Sequence, residues 1–148
     1  LQSYLRRTGA DIEALSDAPM HYRLCKGIYN EPRTAAWKDP ITINRSFSKA
    51  LERMFKHKAY VGIATHDEKL VFESLELIDQ FGLKPDEYEF QMLLGVDPEL
   101  RQILIDAGHR LRVYLPYGES WMPYSRRRLK ENPNIARHAL IQMLRGTG

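Results

Sequence analysis

The stretch AYVGIATH, Ala59 to His66, decides the fold. Its first six residues are apolar or glycine and do not alternate with polar ones, and it ends on Thr65 and His66. Such a run is typical of a strand in a parallel sheet covered on both faces. Before it, SFSKALERMFKH (46–57) sets Phe47, Leu51 and Met54 at helical spacing. After it, EKLVFESLELIDQF (68–81) does the same with Val71, Leu75 and Ile78, and Gly82 is placed to end that helix. One strand between two amphipathic helices is the unit of an α/β fold.

Working outward, the rhythm repeats. YRLCKGIY (22–29), EYEFQMLLG (87–95) and LRVYLPYG (111–118) read as strands, and LQSYL (1–5) as a further one. The expectation is five strands starting near residues 1, 22, 59, 88 and 111. TGADIEAL gives a turn and a short helix, and NEPRTAAWKDPIT a long loop with Pro32 and Pro40 as breakers. In VDPELRQILIDAG, Asp97 fits the N-cap and Pro98 the first turn, with Leu100, Ile103, Leu104 and Ala107 as the buried stripe and Gly108 as the stop. Helices from near Tyr124 and over 135–144 close the chain, which reads as one domain, 1–148.

Repeated βα units fit either a small open sheet or part of an eight-stranded barrel, which normally needs ~250 residues. The strand ends favour the barrel. YRLCKG, IATHD, FQMLLG and RVYLPYG all finish on polar, glycine or aromatic residues. A barrel converges such ends on one site at its top face, whereas an open sheet spreads them. The opening on LQSYL without Met suggests that the N-terminal part of a larger domain is missing.

Composition narrows the function classes. The hydrophobic fraction is 43%, the charged fraction 28% and the formal net charge +3, with acids interleaved among the bases. This does not point to a nucleic-acid partner. A single cysteine, Cys25, excludes an internal disulfide and reads as a small buried side chain. No run is long and apolar enough to span a membrane, and neither glycine-rich nucleotide loop is present. His66 has only Asp67 beside it, so no metal site is indicated.

The residues with chemical promise lie at strand and helix ends. Arg127 and Arg128 stand at a helix start, where planar guanidinium forks suit a carboxylate or phosphate, and Tyr124 shares their helical face. A triple arginine is more often a solvated turn, and Arg126 takes that reading. Lys26 sits in an apolar strand before Gly27 and therefore needs a partner, while Arg23 projects to the opposite face. His66 suits a hydrogen bond to a cofactor or acid–base work, and Gln2 and Gln91 suit an amide or imide edge. These residues alone describe a basic, aromatic pocket for a small carboxylate or phosphorylated ligand. They leave open a Schiff-base or phosphate-binding barrel enzyme built on Lys26, and a non-catalytic α/β binding fragment.

Six motifs, LQSYLRRT, RLCKGIYNEP, YVGIATHDE, YEFQMLLGV, LRVYLPYG and YSRRRLKEN, occur in an order that resembles the proline dehydrogenase family, particularly its bacterial monofunctional form. The resemblance covers nearly the whole chain. It implies a distorted (βα)8 TIM-like barrel holding FAD, of which this chain supplies about strands four to eight and the final helices. It implies that Arg127 and Arg128 clamp the carboxylate of L-proline, that Tyr114, Tyr124 and Leu93 line the substrate pocket, and that Glu131 supports the clamp. Gln2, Arg23, Lys26 and His66 would surround the flavin, with Thr65 and Gly27 beside them and Arg23 donating near N5. The implied reaction yields Δ1-pyrroline-5-carboxylate and sends electrons to a membrane quinone, from the cytoplasm with peripheral contact at the inner membrane.

Overall fold

A computed structural model describes residues 1–18, 20–115 and 118. Its elements run α1 (Thr8–Ala14), β1 (His21–Cys25), α2 (Pro40–Lys56), β2 (Tyr60–Ala64), α3 (Glu68–Phe81), β3 (Tyr88–Leu93), α4 (Pro98–Asp106) and β4 (Leu111–Tyr114). The strands form one parallel sheet in the order β1-β2-β3-β4. Each is joined to the next through a helix, the crossover that parallel neighbours require.

The core lies between one face of the sheet and the helices. Tyr22 and Leu24 of β1, Val61 and Ile63 of β2, and Tyr88, Phe90 and Met92 of β3 are buried against Phe47, Leu51 and Met54 of α2, Leu70, Val71 and Ile78 of α3, and Leu104 of α4. Register keeps these residues in line. Tyr22 pairs with Val61 and Leu24 with Ile63, and those pair with Tyr88 and Phe90 in turn. The intervening residues face away from the helices.

Two helices start as their caps dictate. Asp67 caps α3 by accepting from the Lys69 and Leu70 amides, and Gly82 closes it at φ 60°. Asp39 caps α2 by accepting from the Thr42 amide at 2.8 Å. That helix therefore begins at Pro40, six residues before the expected start at Ser46. Pro40, expected as a breaker, occupies the first turn, where its missing N–H costs nothing.

Two other expectations are corrected. LQSYL is not a full strand. Gln2 makes one parallel bridge to Cys25, then the chain turns, with the Leu5 amide and the Thr8 hydroxyl both donating to the Gln2 carbonyl. Four strands, not five, stand among the described residues. In α4, Leu104 is buried and Leu100 half-buried, but Ile103 is 57% exposed and Ala107 exposed. Nine residues give about two and a half turns, enough to seat one apolar pair on the sheet but not a four-residue stripe.

Candidate functional site at the helix-free face

The face of the sheet turned away from the helices is polar and cross-linked. Arg23 aligns with Gly62 and then with Glu89, and Ala64 aligns with Gln91 and then with Arg112. Glu89 is 3% exposed. Its carboxylate accepts from Arg112 Nε at 2.7 Å and Nη2 at 3.0 Å, from Gln91 Nε2 at 2.7 Å and from the Tyr60 hydroxyl at 3.1 Å. The Arg112 guanidinium holds the Glu89 pKa below the usual carboxylate range against the opposing effect of burial, with help from Gln91 and Tyr60. The same ion pair raises Arg112. Gln91 Oε1 in turn accepts from Arg23 Nε at 2.9 Å. Gln2, bridged to Cys25, shares this face. Its Oε1 is buried and has no hydrogen-bond partner.

A second group sits where the strands end. Lys26 Nζ donates to Asp67 Oδ2, which also accepts from Asn44 Nδ2 at 3.2 Å. Burial pushes Asp67 up, but the Lys26 ammonium and the Asn44 amide outweigh it, and its pKa lies below the usual range. Thr65 is buried and its hydroxyl accepts from the Asp67 amide at 3.1 Å. His66 Nε2 accepts from the Leu93 amide at 2.8 Å, so its ring proton sits on Nδ1 when the imidazole is neutral. Gly27 has φ +105°, and a Cβ there would meet the Tyr4 ring at 2.1 Å. Glycine is needed at this turn both for the backbone angle and for the buried Tyr4.

The structure therefore brings several of the sequence-derived residues together. Gln2, Arg23, Leu93 and Tyr114 share the helix-free face, and His66 is tied to Leu93. Lys26, Gly27 and Thr65 lie at the adjoining strand ends, and Lys26 has its required partner in Asp67. Tyr124, Arg127, Arg128 and Glu131 lie outside the described residues. The sequence reading missed Glu89, Arg112, Asn44 and Tyr60. Glu89 carried a usable signal: an acid between Tyr88 and Phe90 in a strand needs a partner, by the argument applied to Lys26. A concavity of about 560 Å³, lined by Lys84, Asp86, His109 and Arg110, opens at the opposite end of the strands. No group of three or more metal-ligating side chains, and no helix long and apolar enough to cross a membrane, occurs among the described residues.

This arrangement is a partial parallel α/β sheet of the kind found in TIM-barrel-like folds. Proline utilization A (PutA) from Bdellovibrio bacteriovorus matches it with a TM-score of 0.80 over 87% of this chain and 16% of that one, at 23% identity, a likeness of fold. The sequence comparisons go further. The profile of the family described as proline dehydrogenase matches residues 1–139, and the chain belongs to that family. It is 37% identical over 146 residues to "Proline dehydrogenase" of Deinococcus radiodurans, covering 99% of this chain and 47% of that one. With "Proline dehydrogenase 2" of Bacillus subtilis it shares 39% over 137 residues, 92% of this chain and 45% of that one. The chain thus spans about half the length of the curated relatives it matches.

Proposed function

We propose that the full-length protein oxidises L-proline to Δ1-pyrroline-5-carboxylate as an FAD-dependent proline dehydrogenase of the bacterial monofunctional type, and that this chain supplies about strands four to eight of its barrel. The observation that carries this reading, beside family membership, is the gathering of Gln2, Arg23, Leu93 and Tyr114 on one helix-free face. The residues fit a flavin. Gln2 offers a buried, unpartnered amide oxygen, suited to an imide N–H. Arg23 is exposed, and nothing among the described residues engages its Nη atoms. Cys25 and Ala64, paired across β1 and β2 on this face, are small and leave a low floor for a planar ring.

FAD, when bound, would supply the two-electron acceptor for the hydride of proline C5, the amine proton going to solvent. The chain's own residues bind and orient. Arg23 would donate toward the flavin N5 region, where its charge would favour the negatively charged reduced form. Lys26, held by Asp67, carries positive charge at the strand ends toward the flavin's phosphates. His66, tied to Leu93 through Nε2, would stand with Thr65 and Gly27 among the residues around the flavin. Leu93 and Tyr114, paired across β3 and β4, line the proline pocket with Tyr124. Arg127 and Arg128 clamp the carboxylate, and Glu131 steadies them. Electrons leave to a membrane quinone, which puts the enzyme in the cytoplasm with peripheral contact at the inner membrane.

A Schiff-base role for Lys26 is disfavoured by its bond to Asp67, which commits Nζ as a donor. The test is an absorption spectrum of the full-length protein before and after proline. Bleaching of a flavin band is expected. A colourless protein, or a flavin band that proline leaves unchanged, overturns the reading.

A further inference from the structure

We propose that Gln91 is a positioning residue for Arg23, held in turn by Glu89, so that a side-chain relay across the sheet sets how the Arg23 guanidinium is presented. This rests on the reading that Arg23 serves the flavin. The relay runs Arg112–Glu89–Gln91–Arg23, with residues from β4, β3 and β1, and crosses β2 at Gly62.

Its polarity follows from chemistry. A carboxylate only accepts, so Glu89 takes the NH₂ end of the Gln91 amide, and the amide oxygen must face Arg23. Arg112 and Tyr60 hold Glu89 from its other sides, leaving it no freedom to release Gln91. The Arg23 Nε–H, which lies in the guanidinium plane, donates to Gln91 Oε1. A planar group held at Nε has its plane fixed and its Nη edge left over for another acceptor.

Gly62 gives independent support. It lies on the same face in the middle of β2, between Arg23 and Glu89 in the register. A Cβ there would come within 2.3 Å of Gln91 Nε2. Glycine inside a strand costs stability, and close approach by another group is a standing reason to keep it. Here the approaching group is the Gln91 amide on its way to Arg23. If Gln91 served only to satisfy Glu89, its oxygen would not need to meet a guanidinium that solvent reaches.

The test uses the full-length protein and two readouts. In the flavin-free protein, labelled isotopically at arginine, Gln91→Leu should speed exchange of the Arg23 Nε proton about tenfold, the change expected for one lost hydrogen bond. In the flavin-loaded protein the same substitution should lower the midpoint potential by about 30 mV, a tenfold change for a two-electron couple. Gln91 carries no net charge, so the potential responds chiefly through the placement of Arg23. Gly62→Ala should shift both readouts in the same directions with Gln91 still present. Where Gln91→Leu fails to fold, Gln91→Met, close in size and without the amide, carries the same expectations. Unchanged exchange overturns the relay whatever the flavin does. Faster exchange with an unchanged potential, while Arg23→Met lowers the potential, overturns the positioning role but not the flavin reading. An unchanged potential in Arg23→Met overturns the flavin reading itself, and the positioning role with it.

Discussion

The two faces of this sheet are one residue apart in sequence and opposite in physics. On the helix side Leu24, Val61, Ile63 and Phe90 are fully buried and packed on hydrocarbon. On the other side Arg23, Tyr60, Glu89, Gln91 and Arg112 are joined by directed hydrogen bonds. In β3 the alternation is complete: Tyr88, Phe90 and Met92 go one way, Glu89, Gln91 and Leu93 the other. The difference teaches a division of labour. The apolar face supplies stability that is insensitive to small angular errors. The polar face gives little net stability, because each bond replaces one with water, but it fixes where charged groups point.

The largest expected effect comes from breaking the apolar side. Phe90 is 0% exposed and sits among Tyr88, Met92 and the helices. Phe90→Ala should cost about 3–5 kcal/mol, from lost burial and the cavity left behind. Denaturant unfolding of the full-length protein checks it, and a loss below about 1 kcal/mol would show that the helix-side face is not the main source of stability.

Next comes Glu89, the buried charge of the polar side. Glu89→Gln should cost about 2 kcal/mol at neutral pH, the scale of hydrogen bonds to a charged group. The pH dependence has a definite sign. The Glu89 pKa is lowered in the folded protein, chiefly by Arg112. Its contribution is therefore present in full above the unfolded glutamate value of about 4.3, and is lost as pH falls through the folded value. The stability gap between parent and variant should be widest at neutral pH and close in acid. A gap independent of pH would mean that the carboxylate charge is not what matters.

These differences bear on what was legible in the sequence. The helix-side face could be read directly, because unbroken apolar runs and helical spacing depend only on local order; α3 appears over Glu68–Phe81 as expected. The exposure of Ile103 could not, since it depends on how much sheet α4 finds to cover. Arg23 and Lys26 both stand out in the sequence, as charges in an apolar strand. Their partners, Gln91 and Asp67, were not identified. They lie 68 and 41 residues away, and register, not spacing, brings them close. LQSYL failed for a related reason: strand-like side chains cannot prevent the turn that follows the Gln2 bridge.

Where the faces meet at the strand ends, Asp67 does two jobs, capping α3 and holding Lys26. Asp67→Asn separates them. Asparagine caps about as well as aspartate, so the helix should keep its start. With its oxygen on the cap, the amide turns its NH₂ toward Lys26 and Asn44, both donors, so those two bonds are lost; the partly exposed ammonium returns to water, and the loss should be about 1–2 kcal/mol. The Asp67 pKa is lowered in the fold, so this loss should also fade in acid. Urea midpoints at neutral and acid pH measure both, and a loss several times larger would mean that the cap has failed as well.

The smallest effect on stability is expected at Gln91, and the reason lies in its partners. In Gln91→Met, Glu89 keeps both bonds to Arg112 and the one from Tyr60. Arg23 is exposed, so its Nε returns to water. No buried group is left stranded, and the change should fall below about 1 kcal/mol. Side by side with Phe90→Ala, one position along the same strand, the denaturation midpoint should move several times less. A loss as large as that of Phe90→Ala would make the polar network part of the core and dissolve the contrast between the faces. A small one would leave Gln91 free to tune the orientation of Arg23 at little cost to the fold.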